Sequence, residues 1–189
     1  MMLLIRDKDE RNHVNHMNYL GFKFGQFIHL SEKELHKLSS SIILHDIGKV
    51  AISRKLLDKE YRLYEKEYEL VKSHPKIAYW FIKTLHLSED IALAVLHHHE
   101  QWNGKGYPYQ LYETKIPYLS RIIALIDSYE AMADHRPYKT LLSKEQIIIE
   151  IKREAGEQFD PILARDFINF LIINNYPCFR DNRRYPLSL

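Results

Sequence analysis

A single cysteine, Cys178, stands among the 189 residues. It excludes an intrachain disulfide and fits a reducing compartment, so a cytoplasmic location is expected. Long hydrophobic runs are also missing. None approaches the roughly 20 apolar residues that span a bilayer, so no membrane insertion is expected. The start, Met1-Met2-Leu3-Leu4-Ile5-Arg6-Asp7, carries charge too early for a signal peptide. Neither sign of charge dominates: 27 Lys+Arg face 25 Asp+Glu, a formal net charge of +2. That balance gives no basis for a DNA or RNA surface. No repeat, low-complexity linker or sustained strand alternation is present, and nothing in the composition fixes an oligomeric state.

What is present is a core and many histidines. Hydrophobic residues make up 46% of a chain long enough for one sizeable core. Apolar residues recur at helical spacing throughout, so the chain is expected to be all-α. The first helix is expected over 9–28, with Val14, Met17, Leu20 and Phe24 on one face and Gly21 and Gly25 weakening it. Ser31 and Glu34 form a capping box that starts a second helix, 32 to about 46. Residues 50–63 read as loop and short turns, and 64–73 as helix. Pro75 interrupts or kinks that helix after His74, and helix resumes over 77–84. A central helix covers 88–99, with its histidines on the last turn. Residues 107–115 form a tyrosine-rich loop. Pro117 opens a helix that runs to about 134. Ser143 and Gln146 cap the next, 144–155, which stops at Gly156. The last helix begins near 160 and ends near 174.

The eleven histidines fall mostly near these helix ends. The stretch His97-His98-His99-Glu100-Gln101-Trp102-Asn103-Gly104-Lys105-Gly106-Tyr107-Pro108 sets histidines directly before a glycine-rich turn. His45-Asp46-Ile47-Gly48-Lys49 closes an apolar helix. By itself that pair also fits a histidine resting on a helix C-terminus. Asp127 interrupts the apolar face of Leu119, Ile122, Ile123 and Ile126. A buried carboxylate there needs a cation or strong donors. Imidazoles mixed with carboxylates suit Fe, Mn or Zn, whereas magnesium alone asks for oxygens. Asp9 and His13 are four apart and share a helix face. Glu100 either orients a histidine or holds the loop through a hydrogen bond. Tyr107, Tyr109, Tyr112, Tyr118 and Trp102 either stack on bases or simply pack the loop.

Taken in order, these residues resemble the HD-GYP family, a branch of the HD-domain metal-dependent phosphohydrolases. His13, the His45–Lys49 motif, His74-Pro75, His98-His99-Glu100, Gly104-Lys105-Gly106-Tyr107-Pro108, Asp127 and Arg136-Pro137-Tyr138-Lys139 each match a family motif. The resemblance spans residues 9 to about 170. It implies a helical bundle around a multinuclear metal site. His45, Asp46, His74, His98, His99 and Asp127 would be ligands, with Asp46 bridging two ions. His13 would complete a third site in members that have one; those members carry a glutamate where this chain has Asp9. Two divalent ions are implied, Fe or Mn preferred over Zn, Ni or Mg. The implied activity is opening of cyclic di-GMP to pGpG, and in some members on to GMP, by a hydroxide bridging the metals. Asp46, Lys49, Arg136 and Lys139 would serve that chemistry, although Lys139 alone reads equally as surface charge. The loop bearing Gly104, Gly106, Tyr107 and Pro108 is expected to hold the pocket, and the resemblance allows it to dock diguanylate cyclases.

The chain departs from the family pattern at Ala78, Gln101, Asn103 and His16, where glycine, arginine, aspartate and arginine are usual. His16, His29, His36 and His86 match no motif and are expected at the surface; His97 is expected beside the ligands or packed. His135 is given no role. The expected division is a phosphohydrolase-like domain, 1–174, and a tail, 175–189. The early start of the motifs suits either a trimmed domain or a member standing alone. Three functions compete: a cyclic di-GMP phosphodiesterase, a phosphohydrolase of another nucleotide, and a cyclic di-GMP binding module without turnover. Retained HD and HHE residues disfavour the third.

Overall fold

In the computed structural model, residues 8–59, 61–133 and 142–176 are described, with side chains from residue 11 onward. Among these residues every regular element is helical. The α-helices are α1 Lys8–Phe27, α2 Glu32–Leu44, α3 Arg54–Leu57, α4 Glu65–Val71, α5 His74–Thr84, α6 Glu89–Leu96, α7 Tyr118–Ala133, α8 Lys144–Arg153 and α9 Pro161–Ile173. Short 3-10 turns lie at Ile47–Ala51 and Glu113–Lys115.

The expected caps form. Ser31 accepts from the Glu34 backbone N–H while the Glu34 carboxylate accepts from Ser31, and Ser143 and Gln146 repeat the arrangement at α8. Asp160 accepts from the N–H groups of Ile162 and Leu163 at the start of α9. Two boundaries differ from the sequence expectation. Pro75 does not kink a continuing helix; it sits in the first turn of a new one, where it needs no intrahelical donor. The central helix ends at Leu96, so His98 and His99 lie in the turn beyond it, not on its last turn. The apolar stripe runs out at Leu96, and the His98 ring itself bonds the helix's terminal carbonyl at Val95.

α7 runs through the larger core. Its buried Ile122, Ile123, Ile126 and Tyr129 meet Phe24 of α1, Ile42 of α2, Ile147 of α8 and Phe167 of α9 in one cluster. Gly21 and Gly25, which weaken α1 as an isolated helix, give it a close partner. A Cβ on Gly21 would overlap Ile42, and one on Gly25 would overlap Leu35. A smaller core of Leu44, Ala78, Ile82, Ile91, Ala92 and Val95 joins α2, α5 and α6. These three helices end or begin at His45, His74 and His97, so the smaller core forms the base from which His45, His74 and, one residue past His97, His98 converge. No helix among the described residues is long and apolar enough to cross a membrane.

Candidate metal centre

Seven side chains predicted from the sequence come together in two groups. Asp46, His74, His98 and His99 each place a candidate ligand atom within 4.8 Å of the others, and so do His13, His45 and Asp127. Asp46 stands between them. Its Oδ1 is 3.3 Å from His74 Nε2, and its Oδ2 is 3.3 Å from His45 Nε2. The adjacent residues His45 and Asp46 converge because α2 ends at Leu44 and the chain tightens at once into the 3-10 turn. Gly48 in that turn lies against α5: a Cβ there would overlap the carbonyl oxygen of His74. This close approach is what brings the His45-Asp46 pair to His74.

Three histidines are held in the same way. The Nδ1 of His45, His74 and His98 pairs with the carbonyl three residues earlier, at Ile42 (2.7 Å), Val71 (2.7 Å) and Val95 (2.6 Å). A carbonyl only accepts, so each Nδ1 carries a proton and each Nε2 is turned into the centre, presenting a lone pair wherever the imidazole is neutral. Those lone pairs are turned toward one another: His74 Nε2 and His98 Nε2 are 3.4 Å apart. His45 Nε2 and Asp46 Oδ1 are buried without a hydrogen-bond partner. The His74 and His98 nitrogens converge as acceptors, which calls for a cation, and neutral imidazoles with carboxylates are the donor set of a first-row divalent metal. The residues therefore fit a multinuclear divalent site.

Electrostatics distinguish the two groups. Burial pushes His98 well below the usual imidazole range, lowers His74, and takes His99 to about 3, so all three stay neutral ligands. Burial also disfavours charge on His45, but the Asp46 carboxylate overrides it and raises His45 to about 9. Burial opposes charge on Asp46 too, yet His45 and Lys49 hold it well below the carboxylate range. Lys49 Nζ lies 2.6 Å from Asp46 Oδ2. Asp127 is lowered despite burial by His13, whose Nε2 lies 3.4 Å from its Oδ1.

Beyond the two groups, Glu100 decides between its two expected roles. It is 3% exposed, and its carboxylate accepts from the backbone N–H groups of Tyr109 (2.8 Å) and Leu111 (3.1 Å). It holds the loop; its nearest histidine contact is His97, at 3.5 Å, not a member of either group. His97 is buried and packs near Tyr109. Gly104 has φ +80°, and Gly106 lies against the backbone of Glu100 and Gln101, folding the loop back over the histidine turn. Tyr107-Pro108 is a cis bond. The Tyr107 ring stacks on His99, with centroids 4.8 Å apart. Asn103 donates to the Glu157 carboxylate, which explains the departure there: an aspartate would face that carboxylate.

The other aromatics divide. Tyr107 and Tyr109 line a groove beside the centre, while Trp102 and Tyr118 pack around Arg121, and Tyr112 lies by Lys115. The sequence reading missed Tyr68, Lys72 and Lys76, which line the same groove from α4 and α5. Their signal was weak, because 61–69 mixes charge and tyrosine without a motif. His29, His36 and His86 are exposed as expected, and His16 is partly buried. Arg136, Lys139 and His135 lie outside the described residues, as does the tail from 177. Asp9 lies on α1, one turn before His13, and its side chain is not described.

Comparison with known proteins agrees with this geometry. Residues 2–163 match a family model described as HD domain. The chain is 32% identical over 173 residues to a cyclic di-GMP phosphodiesterase of Thermotoga maritima, covering 89% of this chain and 46% of that protein. It is 29% identical over 164 residues to a 3'3'-cGAMP-specific phosphodiesterase of Vibrio cholerae, covering 84% of this chain and 31% of that one. It thus spans less than half the length of either relative. Among solved structures, an HDG"Y"P protein from Bdellovibrio bacteriovorus superposes with a TM-score of 0.68 at 16% identity, over 85% of this chain and 51% of that one. At that identity the likeness shows the fold alone.

Proposed function

This chain belongs to the HD-domain family and is related to its HD-GYP branch, and from that premise we propose that it is a cytoplasmic metal-dependent phosphodiesterase opening cyclic di-GMP to pGpG. The observation that carries the reading is Asp46, whose two oxygens face different ligand groups. His13, His45 and Asp127 would hold one ion, and His74, His98 and His99 another, with Asp46 common to both. Fe or Mn is proposed ahead of Zn, Ni or Mg as the occupant of this mixed nitrogen and oxygen set. Such ions, when bound, polarise phosphoryl oxygens and activate water near neutral pH.

The chain's own residues do the rest. The Nδ1 bonds to Val71 and Val95 lock His74 and His98 in the ligand tautomer before any metal arrives, and the bond to Ile42 orients His45, which gives up its Nε2 proton on binding. Lys49 keeps Asp46 ionised. Tyr107 stacks on His99 and fixes its plane. Glu100 ties down the loop that carries Tyr107. Arg136 and Lys139 are proposed, from the sequence motif, to grip non-bridging phosphate oxygens, arginine by a two-toothed contact and lysine as a movable charge. Water adds across one P–O bond of the ring, and the product is linear with a terminal phosphomonoester.

Product analysis tests this. Metal-loaded protein is given cyclic di-GMP, 3'3'-cGAMP, pGpG, a cyclic mononucleotide and bis(p-nitrophenyl) phosphate at equal concentration. Cyclic di-GMP is expected to open fastest. Faster cleavage of a mononucleotide would replace the substrate assignment; binding without cleavage at full metal occupancy would replace the activity.

A further inference from the structure

A groove of about 770 Å³ runs between the α4–α5 junction and the 105–110 loop. It shares a wall with the metal centre, because Tyr107 lines it and also stacks on His99. Its other functional lining is cationic and aromatic. Lys72 Nζ lies 4.7 Å from the Tyr68 ring centre and 5.7 Å from that of Tyr107, and Lys76 Nζ lies 5.1 Å from that of Tyr109. The lining holds three lysines, Lys72, Lys76 and Lys105, and one carboxylate, Glu69, which pairs with Lys72 at 2.7 Å, while Lys105 lies 4.0 Å from Glu157 outside the lining. Lys76 makes no ion pair among the described residues. The groove therefore keeps net positive charge beside aromatic faces.

An anion with a flat ring attached meets both demands: phosphate for the lysines, base for a tyrosine face. A ligand with one phosphate at the metals and a second phosphate beyond Tyr107 would occupy both places at once. Resting on the phosphodiesterase reading above, we propose that this groove is the subsite for the second nucleotide of a cyclic dinucleotide. Lys72 and Lys76 receive the phosphate that is not being cleaved, and Tyr68 or Tyr109 stacks on its base. The subsite selects two-phosphate substrates over diesters that carry one. Gln101 lines the same groove without charge, and Lys72, just after α4, and Lys76 of α5 supply it.

The test compares wild type with the double variant Lys72→Gln/Lys76→Gln in manganese-loaded protein. The quantity read is the ratio of kcat/KM for cyclic di-GMP to that for bis(p-nitrophenyl) phosphate, which has a single phosphate. Loss of two charged phosphate contacts is expected to lower that ratio at least about tenfold, mainly through KM. The salt dependence of KM is expected to flatten with it. The pair Lys55→Gln/Lys66→Gln, exposed lysines outside the groove, controls for net charge and is expected to leave the ratio unchanged. An unchanged ratio in the groove variant, with both substrates hydrolysed, overturns the subsite and leaves the activity standing. If wild type hydrolyses neither substrate, the activity falls instead. Calorimetric titration of cyclic di-GMP then judges the subsite alone. At least about tenfold weaker binding by the groove variant supports it, and equal or absent binding overturns it.

Discussion

The two ligand groups share Asp46 but are built differently. Asp46, His74, His98 and His99 form the inner group. His74 and His98 are each 1% exposed, are locked through Nδ1, and stand on the smaller core. His13, His45 and Asp127 form the outer group, in which His45 has the same lock, while the side chains of His13 and Asp127 are 21% and 28% exposed. The inner group is rigid before any ion binds, and its histidines are already neutral. The outer group is looser, and in the metal-free protein His45 tends to hold a proton against Asp46. One site thus combines a preorganised half with an adaptable half, joined by a single carboxylate.

Removing the link should have the largest effect. Asp46→Asn takes an anionic oxygen from both groups at once and leaves Lys49 and His45 without their shared partner. Both ions should be lost or bound weakly, and turnover should fall by about a thousandfold or more, the scale of losing a preorganised electrostatic contact in a reacting site. Elemental analysis beside the hydrolysis rate measures it. Two retained ions with full turnover would show that Asp46 is not the link.

Separating the halves should come next. His98→Ala is expected to empty the inner group and remove most turnover. His13→Ala is expected to lower outer-group occupancy with a smaller loss, about ten- to hundredfold, since an exposed ligand is more readily replaced by water. Metal counts after gel filtration rank the two variants. Equal losses would mean that the ions bind as one unit.

Acid and alkali should also distinguish the halves in chelator-treated protein. His45 is raised to about 9, so its contribution to stability is complete below the unfolded value near 6.5 and is lost as pH rises through about 9. His74, His98 and His99 are depressed, so the fold is penalised as pH falls below about 6.5, where the unfolded chain takes up protons that the fold refuses. The melting temperature of metal-free protein should therefore peak near neutrality. In His45→Gln the alkaline limb should flatten while the acid limb stays. A profile unchanged in that variant would remove His45 from the alkaline limb.

How far the sequence could be read follows from the same division. Helices, caps and the gathered His and Asp residues were legible because periodicity and motif spacing act locally. The position of Asp127 on an apolar face carried its own signal. Not legible was the end of the central helix, which depends on a side chain bonding the carbonyl of Val95. Nor was the packing of Gly48 on His74, a contact between distant segments. Pairing His13 with His45 and Asp127 also required the tertiary fold, because α1 reaches the centre only by lying on α2 and α7. Lys72 and Lys76 were missed for the same reason: nothing in 61–76 indicates that it faces the loop.

The smallest effect should come from the loop that covers the inner group. Glu100 has one carboxylate oxygen for each of two backbone donors, Tyr109 N–H and Leu111 N–H. Glu100→Gln keeps the shape and one acceptor, but its NH2 meets one of those donors head-on. One charge-assisted bond is lost and the remaining one becomes neutral, costing about 1–2 kcal/mol. For a domain of this size that is a fall of about 2–8 °C in melting temperature, if the loop unfolds with the rest. The metal count should be unchanged, because Glu100 touches neither group. Tyr107 and Tyr109 lose part of their anchoring, so KM for a cyclic dinucleotide should rise a few-fold while kcat changes less. The same variant losing a metal ion would mean that the loop, through Tyr107 on His99, is part of what makes the inner group rigid.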